Sequence, residues 1–217
     1  MFRIITVLFA ALLLTSPVRA TASAQDPHAM LEQAIERMTR RIDQERDKLK
    51  TDENYARKVV NEELEGLVDF RRITQLVMGT YFAPSTREQK LRFLDVFRAS
   101  LVNTYASGLT LYEGQEVRVL PAGEGDVAAG RARVRTEILT ASGKVVPVFF
   151  SLYQSKEGNW LVENVIVNGL NLGRTFRTQF EQSAQQYGGD LDQVIANWSS
   201  EIDVETAEGP AEAAVAQ

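Results

Sequence analysis

The chain has 217 residues, 44% of them hydrophobic, with 24 Lys and Arg against 29 Asp and Glu, one His and no Cys. That is an ordinary single domain with enough apolar content for a core, which excludes disorder throughout. Without Cys there is no thiol nucleophile, disulfide, iron–sulfur cluster or lipoprotein anchor, one His rules out His-rich zinc sites, and a net charge of −5 argues against nucleic-acid binding.

The first residues read as an address. Arg3 precedes an almost unbroken apolar run from Ile4 to Leu14, followed by the small-residue pattern Val18-Arg19-Ala20 and Ala22-Ser23-Ala24. This predicts a secretory signal peptide over residues 1–24, cleaved after Ala20 or Ala24. The run is too short to span a bilayer, which takes about 20 residues, so no permanent membrane anchor is expected.

The mature domain is expected over residues 25–198. Leu31, Ile35, Met38, Ile42 and Leu49 recur at helical spacing and predict an amphipathic helix from Pro27 to Lys50. Asp52 caps a second helix, with Tyr55, Val59, Leu64 and Val68 on one face. Asp69 caps a third, Phe70 to Met78, closed by Gly79. Ser85 and Glu88 have the spacing of a capping box and open a long helix carrying Leu91, Phe93, Leu94, Phe97, Leu101, Val102 and Tyr105.

The texture then changes to β-branched and aromatic residues. Strands are expected at Gln115 to Leu120, Val127 to Thr140, Lys144 to Gln154 and Trp160 to Asn168, an antiparallel meander of four. Two helices follow, one with Leu172, Phe176, Phe180, Ala184 and Tyr187 on a face, the other capped by Asp190. Residues 199–217 carry Glu201, Asp203, Glu205, Glu208 and Glu212 with no base, and read as a disordered acidic tail. About six helices around a four-stranded sheet give an α+β fold, with helices on one face of a curved sheet.

Catalytic motifs are missing: there is no Gly-x-Ser-x-Gly, His-Glu-x-x-His, P-loop or EF-hand loop. Gly123-Glu-Gly125 lies in a turn and lacks the third glycine of a nucleotide loop. His28 reads as a solvated residue near the mature terminus. Asp69, Glu137 and Glu163 could converge in a pocket, yet Asp69 is explained as a cap, and Glu137 alternates with Arg131, Arg133 and Arg135 in a charged ladder. No catalytic residue, metal or cofactor is expected.

The last two strands are apolar on both faces. Val146, Val148, Phe150 and Leu152 oppose Val145, Pro147, Phe149 and Tyr153; Trp160, Val162 and Ile166 oppose Leu161, Val165 and Val167. A sheet with one solvated face alternates apolar and polar. Either the sheet is covered on both sides, by helices or a second copy, or helices and sheet leave an apolar cavity between them. Periodicity does not choose.

Several stretches resemble the MlaC family, the toluene-tolerance auxiliary-component proteins: Leu67-Val-Asp-Phe70, Val77-Met-Gly-Thr-Tyr-Phe82, Phe97-Arg98, Gly158-Asn-Trp160, Asn168-Gly169-Leu-Asn-Leu172, Phe176-Arg177 and Gly189-x-Leu-Asp-x-Val-Ile195. They cover nearly all of the mature chain in order. Glu163-Asn164, where the family often has an Asp-bearing pair, and the acidic tail depart from the pattern. The resemblance implies a periplasmic phospholipid carrier with a four-stranded NTF2-like sheet enclosing an apolar cavity. It implies exchange between an outer-membrane lipoprotein–porin complex and the substrate-binding ring of an inner-membrane ABC transporter, which maintains outer-membrane lipid asymmetry. On that reading the acyl chains would meet Phe70, Met78, Tyr81, Phe97, Leu101, Tyr105, Val148, Phe150, Val162, Ile166 and Leu172. The alternatives are an NTF2-like small-molecule enzyme with a pocket carboxylate or Tyr, and a periplasmic adaptor with a solid core.

Overall fold

Helix starts follow the short polar side chains, whose oxygens accept the orphan N–H groups of a first turn; each such cap stabilises by about 1 kcal/mol. Asp26 opens α1 (Pro27–Thr51) and Asp52 opens α2 (Glu53–Leu64). Asp69 opens α3 (Phe70–Met78), which ends at Gly79 with φ +52°. A single 3-10 turn, Gly79–Tyr81, leads toward α4 (Arg87–Thr110). The computed structural model describes residues 26–110, 112, 114–140 and 142–200. The expected signal peptide and the acidic segment from Glu201 lie outside the described residues.

The box at the start of α4 sits one residue later than Ser85 and Glu88 would place it. Thr86 N–H donates to Gln89 Oε1 and Gln89 N–H donates to Thr86 Oγ1, both at 3.1 Å. Ser85 is used elsewhere: its hydroxyl donates to the Tyr81 carbonyl at 2.5 Å. Two overlapping Ser/Thr-x-x-Glu/Gln patterns satisfy the same rule, and the prior turn decides between them.

The sheet contains the four expected strands and two short additions among the described residues. β1 (Glu116–Val119), β2 (Val127–Ala128), β3 (Arg131–Leu139), β4 (Val145–Gln154), β5 (Trp160–Val167) and β6 (Leu170–Asn171) pair antiparallel in the order β1-β3-β4-β5-β6, with β2 also on β3. The expected strand from Val127 to Thr140 breaks at Ala129-Gly130, where φ is +46° and +75°. Asn168-Gly169, at +48° and +84°, does the same between β5 and β6. Two consecutive residues with positive φ make the tight turn whose twist suits a two-residue hairpin, and Asn-Gly is its strongest sequence signal. After β6, Asn171 caps α5 (Leu172–Gln186) and Asp190 caps α6 (Leu191–Ala196).

Val68 leaves the face expected of it, because α2 stops at Leu64. The segment after it runs beside β5: Val68 bridges Val162 in parallel, and Val162 N–H donates to the Leu67 carbonyl at 2.8 Å. The two termini of α2 and α3 are thereby stitched to the sheet edge.

Three apolar clusters hold the layers. Phe93, Phe97, Phe176 and Phe180 join α3, α4, α5 and α6, with Trp198 packed against them. Ile42, Leu49, Val59, Val60 and Val102 join α1, α2 and α4. Leu31 seats α1 on Ala132, Val134, Leu152, Trp160 and Val162 of the sheet. The packed chain runs past the expected boundary at Trp198: Ser200 is fully buried and its N–H donates to Ser100 Oγ at 2.8 Å.

Candidate functional site

The face of the sheet turned to the helices is set by pairing. Ala132 opposes Leu152, Val134 opposes Phe150 and Thr136 opposes Val148 across β3 and β4. Across β4 and β5 the count slips: Ser151 opposes Asn164, but Leu152 opposes Val162, which makes Glu163 a β-bulge. A bulge inverts the alternation beyond it. Val165 and Val167 therefore share the helix side with Trp160 and Val162 and pack against the apolar clusters. Ile166, paired with Phe149, falls on the opposite face. Strict alternation had placed Ile166 with Val162, and the bulge corrects that. Nothing in a residue count reveals a bulge; the polar pair Glu163-Asn164 inside an apolar strand is its one sequence trace.

The other expected lining residues divide into two groups. Met78 and Phe97 are fully buried, and Phe70, Leu101 and Leu172 nearly so, in the cluster where α3, α4 and α5 meet. Tyr81 packs at the edge of that cluster, with its ring centroid 5.9 Å from that of Phe180. Val148, Phe150 and Val162 belong to the helix side of the sheet, Phe150 only partly covered.

Tyr105 stands apart. It lies one helical turn beyond Leu101 on α4 and is 44% exposed, yet burial pushes its phenol above the ordinary value. Its ring is thus partly open to solvent while its hydroxyl is crowded by protein. Ile138, Val146, Val165 and Val167, on the helix side of the sheet, are likewise only partly covered.

On the far side of the bulge is a polar cluster. Glu163, only 11% exposed, receives Arg72 Nε at 2.5 Å and is also paired with Arg131. The Arg72 guanidinium lies over the Tyr153 ring at 4.1 Å, and the Tyr153 hydroxyl donates to Asp69. Desolvation first, and the Asp69 carboxylate second, push the Tyr153 phenol up to about 12. A raised phenol stabilises the fold fully below its unfolded value near 10, and that contribution is lost as pH climbs through about 12. Asp69 and Glu163 thus share one cluster, linked through Tyr153 and Arg72, and each is engaged by hydrogen-bond donors. Glu137, opposite Pro147 on β3, does not join them. Replacing Glu163 by Gln should lower stability by about 1–3 kcal/mol, because two arginines lose their shared anion, and urea unfolding would measure it.

His28 is not the solvated residue expected: it is buried in the first turn of α1, with Asp26 Oδ1 3.7 Å from its Nδ1. Among the described residues no group of three or more His, Asp or Glu is placed to hold a metal ion, and no helix is long and apolar enough to cross a membrane.

The arginines Arg72 and Arg131 belong to a larger cleft of about 710 Å³ between α3, α5 and the bulge, which also takes in Arg174 and Arg177. Sequence reading missed this cleft, since its arginines come from three elements far apart in the chain. Gly173 lets α5 approach so closely: its N–H donates to Asn164 Oδ1 at 3.0 Å, and a Cβ there would sit 2.6 Å from that oxygen.

Comparison with known proteins bears on this geometry. The family described as MlaC protein matches residues 32–200. The toluene tolerance protein ttg2D of Pseudomonas putida is 33% identical over 183 residues, 84% of each chain. The intermembrane phospholipid transport system binding protein MlaC of Haemophilus influenzae is 27% identical over 175 residues, 79% of each chain. Among solved structures, the phospholipid-binding protein from Ralstonia solanacearum, in complex with a phospholipid, superposes with a TM-score of 0.70 at 25% identity, over 79% of this chain and 93% of that one.

Proposed function

The chain belongs to the MlaC family, and from that premise we propose that it is a periplasmic phospholipid carrier, holding acyl chains in a hollow between the helix side of the sheet and the second half of α4. The observations that carry the reading are the family match over residues 32–200 and the incomplete cover on the helix side of the sheet, where Ile138, Val146, Val165 and Val167 stay only partly buried. Leu101, Tyr105, Val148, Phe150 and Val162 are the lining we retain from the sequence, with Val165 and Val167 added by the bulge. Phe70, Met78, Tyr81, Phe97 and Leu172 form the packed wall behind them. The antiparallel sheet with helices against one face supports an NTF2-like description of the fold.

The physics of such a carrier needs no chemistry. Each buried methylene is worth about 0.8 kcal/mol, so two acyl tails represent on the order of 20 kcal/mol of transfer from water. A carrier must come close to that value, since a weaker site fails to extract lipid and a tighter one fails to release it. An apolar hollow with few polar groups does this. The expected signal peptide and the family membership support a periplasmic location, and the chain's acidity disfavours lasting adhesion to anionic membranes. Docking to an outer-membrane lipoprotein–porin complex and to the ring of an inner-membrane ABC transporter then replaces membrane binding.

Native mass spectrometry of the mature chain purified from the periplasm tests the reading. A co-purifying diacyl phospholipid is the expected result; a chain with no lipid, and none taken up from vesicles, would overturn it. Asp69→Asn and Glu163→Gln should leave lipid transfer between vesicles near wild type once corrected for folded fraction, as a carrier without a catalytic residue requires.

A further inference from the structure

The cleft between α3, α5 and the β5 bulge shares no residue with the acyl-chain lining proposed above, and its composition is unusual for a chain of net charge −5. Its four arginines, Arg72, Arg131, Arg174 and Arg177, outnumber its two carboxylates, Glu163 and Glu181. Glu163 is shared by Arg72 and Arg131, and Glu181 pairs with Arg177 at 3.1 Å. Arg174 has no ion pair among the described residues. The α3 wall contributes Ile73 and Leu76, and Leu76 is among the most exposed large apolar side chains. The cleft is thus basic along α5 and apolar along α3.

The chain carries a segment with the matching order. After Ser200 it reads Glu201-Ile-Asp-Val-Glu205, then Glu208 and Glu212, with no Lys or Arg. In an extended segment alternate side chains point to opposite sides. The carboxylates of Glu201, Asp203 and Glu205 would face one wall, and Ile202 and Val204 the other. The last described residues pack against α4 and the buried side of α5. Trp198 packs against Phe176 and Phe180 of α5, and Ser200 is tied to Ser100. At up to about 3.3 Å per residue, six residues span about 20 Å, roughly twice the width of a helix. So short a tether gives an effective concentration on the order of millimolar, enough to populate contacts too weak to survive between separate molecules.

We propose that the acidic segment following Ser200, Glu201–Glu212, seats in the arginine cleft between α3 and α5 and screens it from other anions. The seat is electrostatic and reversible, and does not depend on the carrier reading. A chain without Cys makes the test direct: a spin label at Ala207→Cys on the full mature chain, with paramagnetic broadening read at every backbone amide. Amides of Ile73, Leu76, Arg174, Arg177 and Thr178 should lose intensity several-fold relative to those of β1. The effect should fade between about 50 mM and about 500 mM salt, as screening shortens from over 10 Å to a few ångströms. It should vanish in Arg174→Glu/Arg177→Glu, and weaken in Arg174→Glu alone should the double variant not fold. Broadening that is absent, centred elsewhere, or unchanged by these variants would overturn the proposal.

Discussion

Tryptophan at Val167 should empty the carrier of phospholipid, and tryptophan at Ile166 should not. The two positions are adjacent in β5 and chemically alike, so any difference between them reports which face each one serves. Beyond the Glu163 bulge, Val167 opposes Val148 on the helix side and Ile166 opposes Phe149 on the other. An indole added at Val167 takes space proposed for acyl chains, and bound lipid in the folded fraction should fall several-fold. Were that side a solid core, the same substitution would overpack it, at about 1–3 kcal/mol in stability. Were the hollow on the opposite face, Ile166→Trp would be the variant that loses lipid. Mass spectrometry of bound lipid, read with the melting temperature of delipidated protein, separates the three outcomes.

The order of elements was legible in the sequence because caps and periodicity are local. Asp26, Asp52, Asp69, Asn171 and Asp190 each accept a backbone N–H at a helix start. What stayed hidden depends on a slip of one residue or on distance along the chain. Ser85 and Thr86 both fit a capping box, and only the bond from Ser85 to the Tyr81 carbonyl frees Thr86 for the role. Glu163 has the composition of an ordinary strand position, and its bulge appears only when β4 and β5 are paired. The same bulge turns Glu163 toward Arg72 and Arg131, so one extra residue both sets which side of β5 faces the proposed hollow and anchors the arginine cleft. Tyr105 was legible as an apolar-face residue of α4, but its combination of exposure and desolvation is a property of the surrounding walls, which no single element encodes.

Phe93→Ala should be the most destabilising single substitution of those considered, at about 3–5 kcal/mol. Phe93 is completely buried, and its ring meets Phe180 edge-on at 4.8 Å, Trp198 edge-on at 5.1 Å and Phe97 at 5.8 Å. Removing it leaves a void ringed by aromatic side chains from α4, α5 and the segment after α6. Large rigid rings close such a void poorly, so the loss should lie toward the upper end for this kind of change, with about 0.5–1.5 kcal/mol per lost aromatic pair included. An exposed leucine on the same helix, Leu91, supplies the contrast, since Leu91→Ala should shift stability by no more than about 0.5 kcal/mol. Urea unfolding of both variants measures this. Phe93 belongs to the wall behind the proposed hollow rather than to its lining, so lipid content per folded molecule should stay near wild type in Phe93→Ala even as the folded fraction drops. A variant that keeps its stability but loses lipid would instead put the acyl chains against Phe93, and would move the hollow from the face of the sheet into the junction of α3, α4 and α5.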